Sequence, residues 1–412
     1  MVNTLQIEEK EIDQLNIVNK KDKDFRKKNL NLFNSEGFPN KSKEDWKFTD
    51  IKKIFNENFN TFNFKNLYKD KISFNKIKDF DHNHIVTING NLHEINFKFE
   101  ENEKIDIKKC HEDDFLEKES VNSLVCINHA LSNSGFYLDI KDNYKFKKVL
   151  VIYNIFTEQL NNNFLNIKNK IRVGKNSELH LIDYIDNQSN KKFINNTFEN
   201  INLNENSVLK SIVLHQSSSN GFFYKYSKST ILSNSNYTNF ILNSGLKFSK
   251  LDLELDLIGE NSECNLKSAL FLKDSTHNEI KTKMNHLVPN CKSYQKVKSV
   301  LDSNGKGIYQ GKIYVKDIAQ KTNAYQLSKA LLLGEEAEFN SKPELEIYAD
   351  DVKCSHGSTS GSIDEDSIHY LMTRGLSRKN SIQLLVNGFL NEIIEDIKSL
   401  SIRKFVESKM IF

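Results

Sequence analysis

From about residue 82 to about residue 352, apolar and polar residues alternate with a period of two, most clearly over Lys148–Tyr153, Leu179–Tyr184, Ser207–Leu214 and Leu251–Ile258. Side chains on an extended chain point alternately to opposite faces, so this pattern predicts strands. No convincing long helix interrupts it over roughly two hundred residues. An α/β architecture, whose strands alternate with helices of about 10–15 residues, does not fit. Within the block, His84–Phe97 predicts a hairpin around Asn89-Gly90, and Asp113–Ala130 predicts a helical piece.

The flanks carry a different period. Leu5, Ile7, Ile12, Leu15, Ile17, Phe25, Leu30 and Leu32 are spaced among charges as in one or two short amphipathic helices. Ser42 is expected to cap the run that contains Trp46, the only tryptophan, which is expected to be a packing anchor. Beyond Gly361 the period changes again. Asp364 should cap a helix through Leu371 that Gly375 ends, and Ser377 should cap the next, which carries Ile382, Leu385, Val386, Phe389, Leu390, Ile393, Ile394 and Ile397. The expected partition is a mostly helical region over 1–115, a strand core over 116–361 and a helical domain over 362–412.

A faint repeat refines the strand block. Gly174-Lys-Asn-Ser-Glu-Leu179, Asn204-Glu-Asn-Ser-Val-Leu209, Gly259-Glu-Asn-Ser-Glu-Cys264 and Gly334-Glu-Glu-Ala-Glu-Phe339 share one turn-then-strand signature, with starts 30, 55 and 75 residues apart. These match one, two and three steps of about 25–30 residues, the period of a coil of stacked parallel strands. A β-sandwich is the alternative.

Charge and cysteine content narrow the function. The 58 basic and 55 acidic residues are interspersed, which gives no concentrated basic surface for nucleic acid. No apolar run approaches a membrane span, and the N-terminus is too polar for a signal peptide. Cys110, Cys126, Cys264, Cys291 and Cys354 are scattered and form no C-x-x-C, as expected of reduced thiols in a cytoplasmic protein. No G-x-S-x-G, H-E-x-x-H or P-loop is present. Asp302–Gly311 is glycine-rich but is expected to form a hairpin or coil corner, and His277, His286 and Cys291 match no ligand spacing.

The best candidate site is Cys354-Ser-His356-Gly357, at the seam between strands and helices. Two residues apart on an extended segment, the thiol and imidazole share a face and could meet one metal ion or one partner surface together, the alternative being a structural role for both. C-x-H alone cannot complete a four-ligand shell, so another chain would have to supply ligands. Asp350 and Asp351 just before it are candidates to orient the loop or the ring nitrogen. An autonomous β-helical carbohydrate-active enzyme is the competing reading, although nothing in the sequence fixes two carboxylates at a working separation.

Lys306-Gly-Ile-Tyr-Gln-Gly-Lys-Ile-Tyr-Val315, Ala319-Gln-Lys-Thr-Asn-Ala-Tyr-Gln-Leu-Ser-Lys-Ala-Leu-Leu-Leu333, Lys342-Pro-Glu-Leu-Glu-Ile-Tyr-Ala-Asp-Asp-Val-Lys-Cys-Ser-His-Gly357, Tyr370-Leu-Met-Thr-Arg-Gly375 and Asn387-Gly-Phe389 together resemble the SufB/SufD family of iron–sulfur cluster assembly scaffold proteins. Gly37-Phe-Pro39 and Glu44-Asp-Trp-Lys-Phe-Thr49 extend the resemblance to the N-terminus, and the Cys-Ser-His-Gly form resembles the SufD branch. The resemblance implies a right-handed parallel β-helix with helical domains at both ends. It implies a subunit without ATPase or independent catalytic activity, which pairs with a SufB-like subunit through the β-helix. The C-terminal helices, with Phe389 and Ile393 as candidate contacts, would hold a SufC-like ATPase. His356 matches the position associated with a transient iron–sulfur cluster shared with a SufB cysteine, with Cys354 beside it. FAD is associated with the wider assembly, but no residues locate a flavin here. Self-pairing of the isolated chain is expected when the partner is absent.

Overall fold

The chain turns one set of its corners on asparagines. Asn143, Asn176, Asn206, Asn234 and Asn261 take φ of 58, 56, 55, 58 and 58°, a left-handed region that asparagine enters more readily than most residues. Each amide Nδ2 donates to the Oδ1 of the previous corner, at 2.8, 3.0, 3.2 and 3.3 Å and sequence separations of 33, 30, 28 and 27. The separations are the rungs of a coil.

A computed structural model describes residues 6–15, 17, 19–65, 72, 74–110 and 122–410. Helices α1 (Lys10–Asp13), α2 (Lys20–Glu36) and α3 (Ile51–Asn58) come first, followed by strands β1 (His82–Ile88), β2 (Asn91–Asn96) and β3 (Ile105–Lys109), and helix α4 (Ser123–Leu131). The coil continues through β4 (Phe136–Ile140), β5 (Val149–Phe156), β6 (Phe164–Val173), β7 (Glu178–Asn187), β8 (Phe193–Leu203), β9 (Val208–Ile231) and β10 (Asn236–Leu257). It ends with β11 (Glu263–Leu272), β12 (His277–His286), β13 (Lys292–Leu301), β14 (Lys306–Val315), β15 (Thr322–Leu332), β16 (Glu338–Ile347) and β17 (Val352–Ser362), before α5 (Glu365–Thr373), α6 (Arg378–Ile394) and α7 (Leu400–Lys409).

Successive strands alternate between two parallel sheets. The first runs β1, β5, β7, β9, β10, β11, β13, β15, β17. The second runs β4, β6, β8, β9, β10, β12, β14, β16. The long strands β9 and β10 pass from one sheet into the other, so the two are joined. Antiparallel partners, β2 on β1 in a hairpin and β3 on β4, close the N-terminal end. At the other end β17 pairs only with β15 and β16 only with β14, and both leave an edge unpaired among the described residues.

Between the sheets lies an aliphatic core that includes Leu181, Leu209, Leu251, Leu266, Ile280, Val297 and Ile313. Helices cover both outer faces. Phe33, Phe38, Trp46, Phe55 and Ile127 pack on Phe164, Ile194, Phe222 and Phe248 of the second sheet. Val386, Leu390, Ile393, Phe405 and Val406 pack on Val151, Ile182, Leu214, Phe240 and Val300 of the first. The structure is therefore a β-solenoid flanked by N- and C-terminal helices, as the periodicity predicts.

The hairpin at Asn89-Gly90 forms, with φ of 48° and 85° at its two turn residues. Asp364 and Ser377 cap α5 and α6 through Asp366, Ser367 and Asn380 backbone N–H groups. Two expectations need correction. Ser42 caps nothing; its hydroxyl bonds to the Asn40 side chain, a 3-10 turn holds Trp46, and Asp50 caps α3 through the Lys53 N–H. Of the four repeat matches, three fall on the asparagine corner, but Gly334 stacks on Ser303 at the opposite corner. From Gly259 the chain makes two and a half turns to reach it, not three. The helix expected over Asp113–Ala130 is seen from Ser123; residues 111–121 lie outside the described part.

Candidate functional site

Cys354 and His356 lie on β17, the last strand of the first sheet, in register with Ala324 and Gln326 of β15. Ala324 and Gln326 are buried lumenal positions, so the thiol and imidazole continue the inner face of the coil onto its open end. Cys354 is half-buried against the aliphatic core and His356 is exposed. Burial raises the Cys354 thiol pKa, and a backbone hydrogen bond at Ala324 only partly offsets this. The thiolate, which is the metal-binding form, is therefore disfavoured until a cation or partner arrives.

One rung below, the same column is polar. Gln295 and Gln326 are buried, and Thr282 Oγ1 donates to Gln295 Oε1 at 2.6 Å. Ser328 Oγ lies 2.9 Å from Ser341 Oγ and 2.9 Å from Ser358 Oγ, which joins the last two strands of the coil to β15. Gln326 lies within the motif quoted above, but nothing in the sequence singled it out. Its only signal is the 30-residue step that separates it from His356, visible once the rung length is known.

Asp350 and Asp351 occupy the corner between β16 and β17 and act through their backbone. The Lys321 N–H donates to the Asp351 carbonyl at 2.6 Å, and the Asp351 N–H donates to Gln320 Oε1 at 2.9 Å. Asp351 stands five residues from His356, roughly 16 Å along an extended strand. The pair fixes the loop, and the idea that it orients the His356 ring is set aside. Among the described residues no group of three His, Cys, Asp or Glu side chains can hold a metal ion. The chain offers one imidazole and one adjacent thiol, a fit to part of a cluster's ligand set but not the whole.

The other histidines and cysteine singled out in the strand block are built into packing. His277 Nε2 lies 2.9 Å from Thr49 Oγ1, His286 Nε2 lies 2.9 Å from Ser293 Oγ, and Cys291 Sγ lies 3.3 Å from Ser262 Oγ. Burial lowers the imidazoles to about 3 and about 4 and raises the thiol. A cavity of about 530 Å³ lies between the Glu36–Trp46 segment and the second sheet. Its charges are largely spent on one another: Lys281 pairs with Asp45 at 2.6 Å, Lys43 with Glu36 at 2.5 Å, and Lys342 with Glu44.

Both C-terminal candidates lie against the first sheet. Ile393 is fully buried against the first sheet, so it is corrected from a partner contact to a core residue. Phe389 is half-buried beneath Lys298, whose Nζ sits 4.4 Å from its ring centroid. Lys298 and Lys296 also pair with Glu392, and Lys267 pairs with Asp396 at 2.5 Å, which fastens α6 to β11 and β13. Tyr370, Met372 and Leu384, at 57%, 41% and 52% exposed, face away from the sheet. A shallow groove between α5 and α6 is lined by Tyr370, Leu371, Leu384 and Leu385.

Residues 156–389 match the family described as SUF system FeS cluster assembly, SufBD core domain, and residues 7–108 match the SufBD protein N-terminal region. An iron–sulfur cluster assembly SufBD family protein of Synechocystis sp. is 31% identical over 222 residues, 53% of this chain and 48% of the relative. Iron–sulfur cluster assembly protein SufD of Escherichia coli is 34% identical over 154 residues, 37% of this chain and 36% of the relative. A SufBD family protein of Pyrococcus horikoshii is 26% identical over 308 residues, 73% of this chain and 68% of the relative. The alignments thus span about half of the Synechocystis protein and about a third of the E. coli one. The core match covers more than half of the chain and takes in the coil from the end of β5 to α6, and on that ground the chain belongs to the SufBD family of iron–sulfur cluster assembly proteins.

Proposed function

We propose that this chain is a cytoplasmic, non-ATPase scaffold subunit of the SufD type, which holds part of a nascent iron–sulfur cluster at the open end of its solenoid. The observation that carries the reading is the position of Cys354 and His356: lumenal side chains on an edge strand with a free side, too few to form a site alone. A second solenoid meeting β16 and β17 edge to edge would pair their open backbone groups and bring its own thiolates beside His356. A SufB-like subunit is the proposed occupant. The cluster is cargo, built there and passed on.

Within such a site this chain's groups have unequal roles. Neutral imidazole binds iron without first losing a proton from its lone-pair nitrogen, so His356 is the leading ligand. Cys354, its thiol pKa raised by burial, is the secondary one. The exposed face of α5 and α6 is the proposed seat of a SufC-like ATPase, whose nucleotide-driven motion would reach the site through α6 and the first sheet.

His356→Ala should leave folding and co-purification with both partners intact while lowering the iron and acid-labile sulfide of the anaerobically purified complex by about tenfold, the lower end for a lost metal-site group. Unchanged iron and sulfide in that variant would remove His356 from the site.

A further inference from the structure

Ion pairs between rungs neutralise the outer face of the second sheet near the open end. Lys306 pairs with Glu338 at 2.9 Å and Lys312 pairs with Glu346, both from β14 to β16. The first sheet breaks that habit at the same end of the coil. Its last three strands, β13, β15 and β17, carry Lys292, Lys296, Lys298, Lys329 and Lys353 and no aspartate or glutamate. These lysines alternate with inward residues such as Gln295, Gln326 and Cys354, so all of them share the outer face.

Helix α6 answers only part of this charge. Glu392 takes both Lys296 and Lys298. Burial, reinforced by like charge on Lys296 and Lys329, lowers the Lys298 pKa despite that carboxylate. Lys292, Lys329 and Lys353 pair with no carboxylate among the described residues. Glu263, in register with Lys292, instead accepts from the Asn265 amide at 2.8 Å. Among the lysines lie Tyr294 and Tyr325, whose ring centroids are 5.5 Å apart and whose planes differ by 12°. Tyr294 is 39% exposed, and neither hydroxyl has a hydrogen-bond partner among the described residues. Beyond Tyr325 and Leu327, β17 presents only Ser355 and Gly357, which are too small to cover them.

We propose that this face is a docking surface for an acidic polypeptide segment of a partner protein. Unpaired ammonium groups attract carboxylates and reject basic partners. The rim of an aromatic ring is the positive part of its quadrupole and favours carboxylates as well, and the phenolic hydroxyls add donors. A nucleic-acid strand fits less well, because its bases need free ring faces to stack on and each tyrosine gives one face to the other. Lys353 stands on the edge strand, so the surface runs up to the open tip, on the outer side of the strand that carries His356. The proposal depends neither on His356 as a ligand nor on the ATPase seat.

The test is fluorescence anisotropy of a labelled octaglutamate peptide with the full chain at low salt. Binding should weaken as salt rises. Reversing the unpaired lysines together, Lys292→Glu, Lys329→Glu and Lys353→Glu, should weaken it by about tenfold or more. Tyr294→Ala should weaken it without changing its salt dependence. Lys41→Glu, Lys47→Glu and Lys273→Glu together reverse exposed lysines elsewhere, make the same change in net charge and should leave binding nearly unchanged. If circular dichroism shows that the patch reversal unfolds the chain, Lys292→Gln, Lys329→Gln and Lys353→Gln together should give the same ordering. Equal loss in the patch and control variants would reduce the effect to overall charge and overturn the proposal. No binding of the peptide, or tighter binding of a thymidine decamer, would overturn it too.

Discussion

Trp46 sits between Tyr224, whose ring centroid is 5.6 Å away, and Lys250, whose Nζ is 4.6 Å from the ring. Burial would lower the Lys250 pKa, but the Asp252 and Glu279 carboxylates outweigh it and keep the ammonium charged. The indole thus closes over a buried ionic cluster. Trp46→Ala should cost about 3–5 kcal/mol in urea unfolding, and Trp46→Phe should recover most of that. The sequence supported the anchor role because a lone tryptophan among charges has little else to do. That Cys354 and His356 share one face was legible for a similar reason, since residues two apart on a strand point the same way. Gln326 was not. Around it the alternation is inverted, with Tyr325 and Leu327 outward and Gln326 and Ser328 inward. A polar residue flanked by apolar ones reads as the solvent side until the neighbouring rungs are seen.

Among the elements, the asparagine corner is the most exposed to a simple test. Asn206→Ala loses two ladder bonds, to Asn176 and Asn234, and forces alanine to φ near 55°. Asn206→Gly loses only the bonds. The alanine variant should therefore be less stable than the glycine one by about 1–2 kcal/mol, measured by thermal unfolding. The corner was readable as a repeat because left-handed backbone restricts residue choice; the opposite corner, at Gly334, imitates it in composition and misled the count. Helix α6 shows the complementary limit. Its apolar stripe is wider than one contact face, and no spacing tells which part meets the sheet. Ile393→Asp should detach the terminal helices by burying an unpaired charge. Leu384→Asp, on the exposed face, should keep the helical circular dichroism and thermal midpoint but weaken binding to a SufC-like ATPase by tenfold or more, roughly the 1.4 kcal/mol expected of an interface anchor. Full affinity in that variant would move the ATPase seat elsewhere.

At the scale of the molecule, burial inside the coil and beneath its flanking segments disfavours the charged form of several histidines. Burial holds His215 at about 4, His286 at about 4, His277 at about 3 and His129 well below its usual value. In the unfolded chain each takes a proton near pH 6.5. Between about 6.5 and 4 the unfolded chain binds more protons, so stability is present above that window and is lost as pH falls through it. The thermal midpoint should drop steadily from pH 7 to pH 5, before most carboxylates titrate, and His286→Gln should flatten part of the slope. A midpoint that stays level down to pH 5 would show these imidazoles to be hydrated.

The coil is closed by antiparallel strands at one end and, among the described residues, open along β16 and β17 at the other. An open backbone edge does not by itself distinguish the proposed SufB-like partner from a second copy of this chain. Sibling encounters grow with the square of the free chain's concentration, whereas productive ones grow with the product of two concentrations. If that edge seats a SufB-like subunit, as proposed, an excess of this chain would divert it into unproductive self-pairs. On that reading, an edge left unpaired among the described residues makes matched synthesis of the two proposed subunits a consequence of the fold.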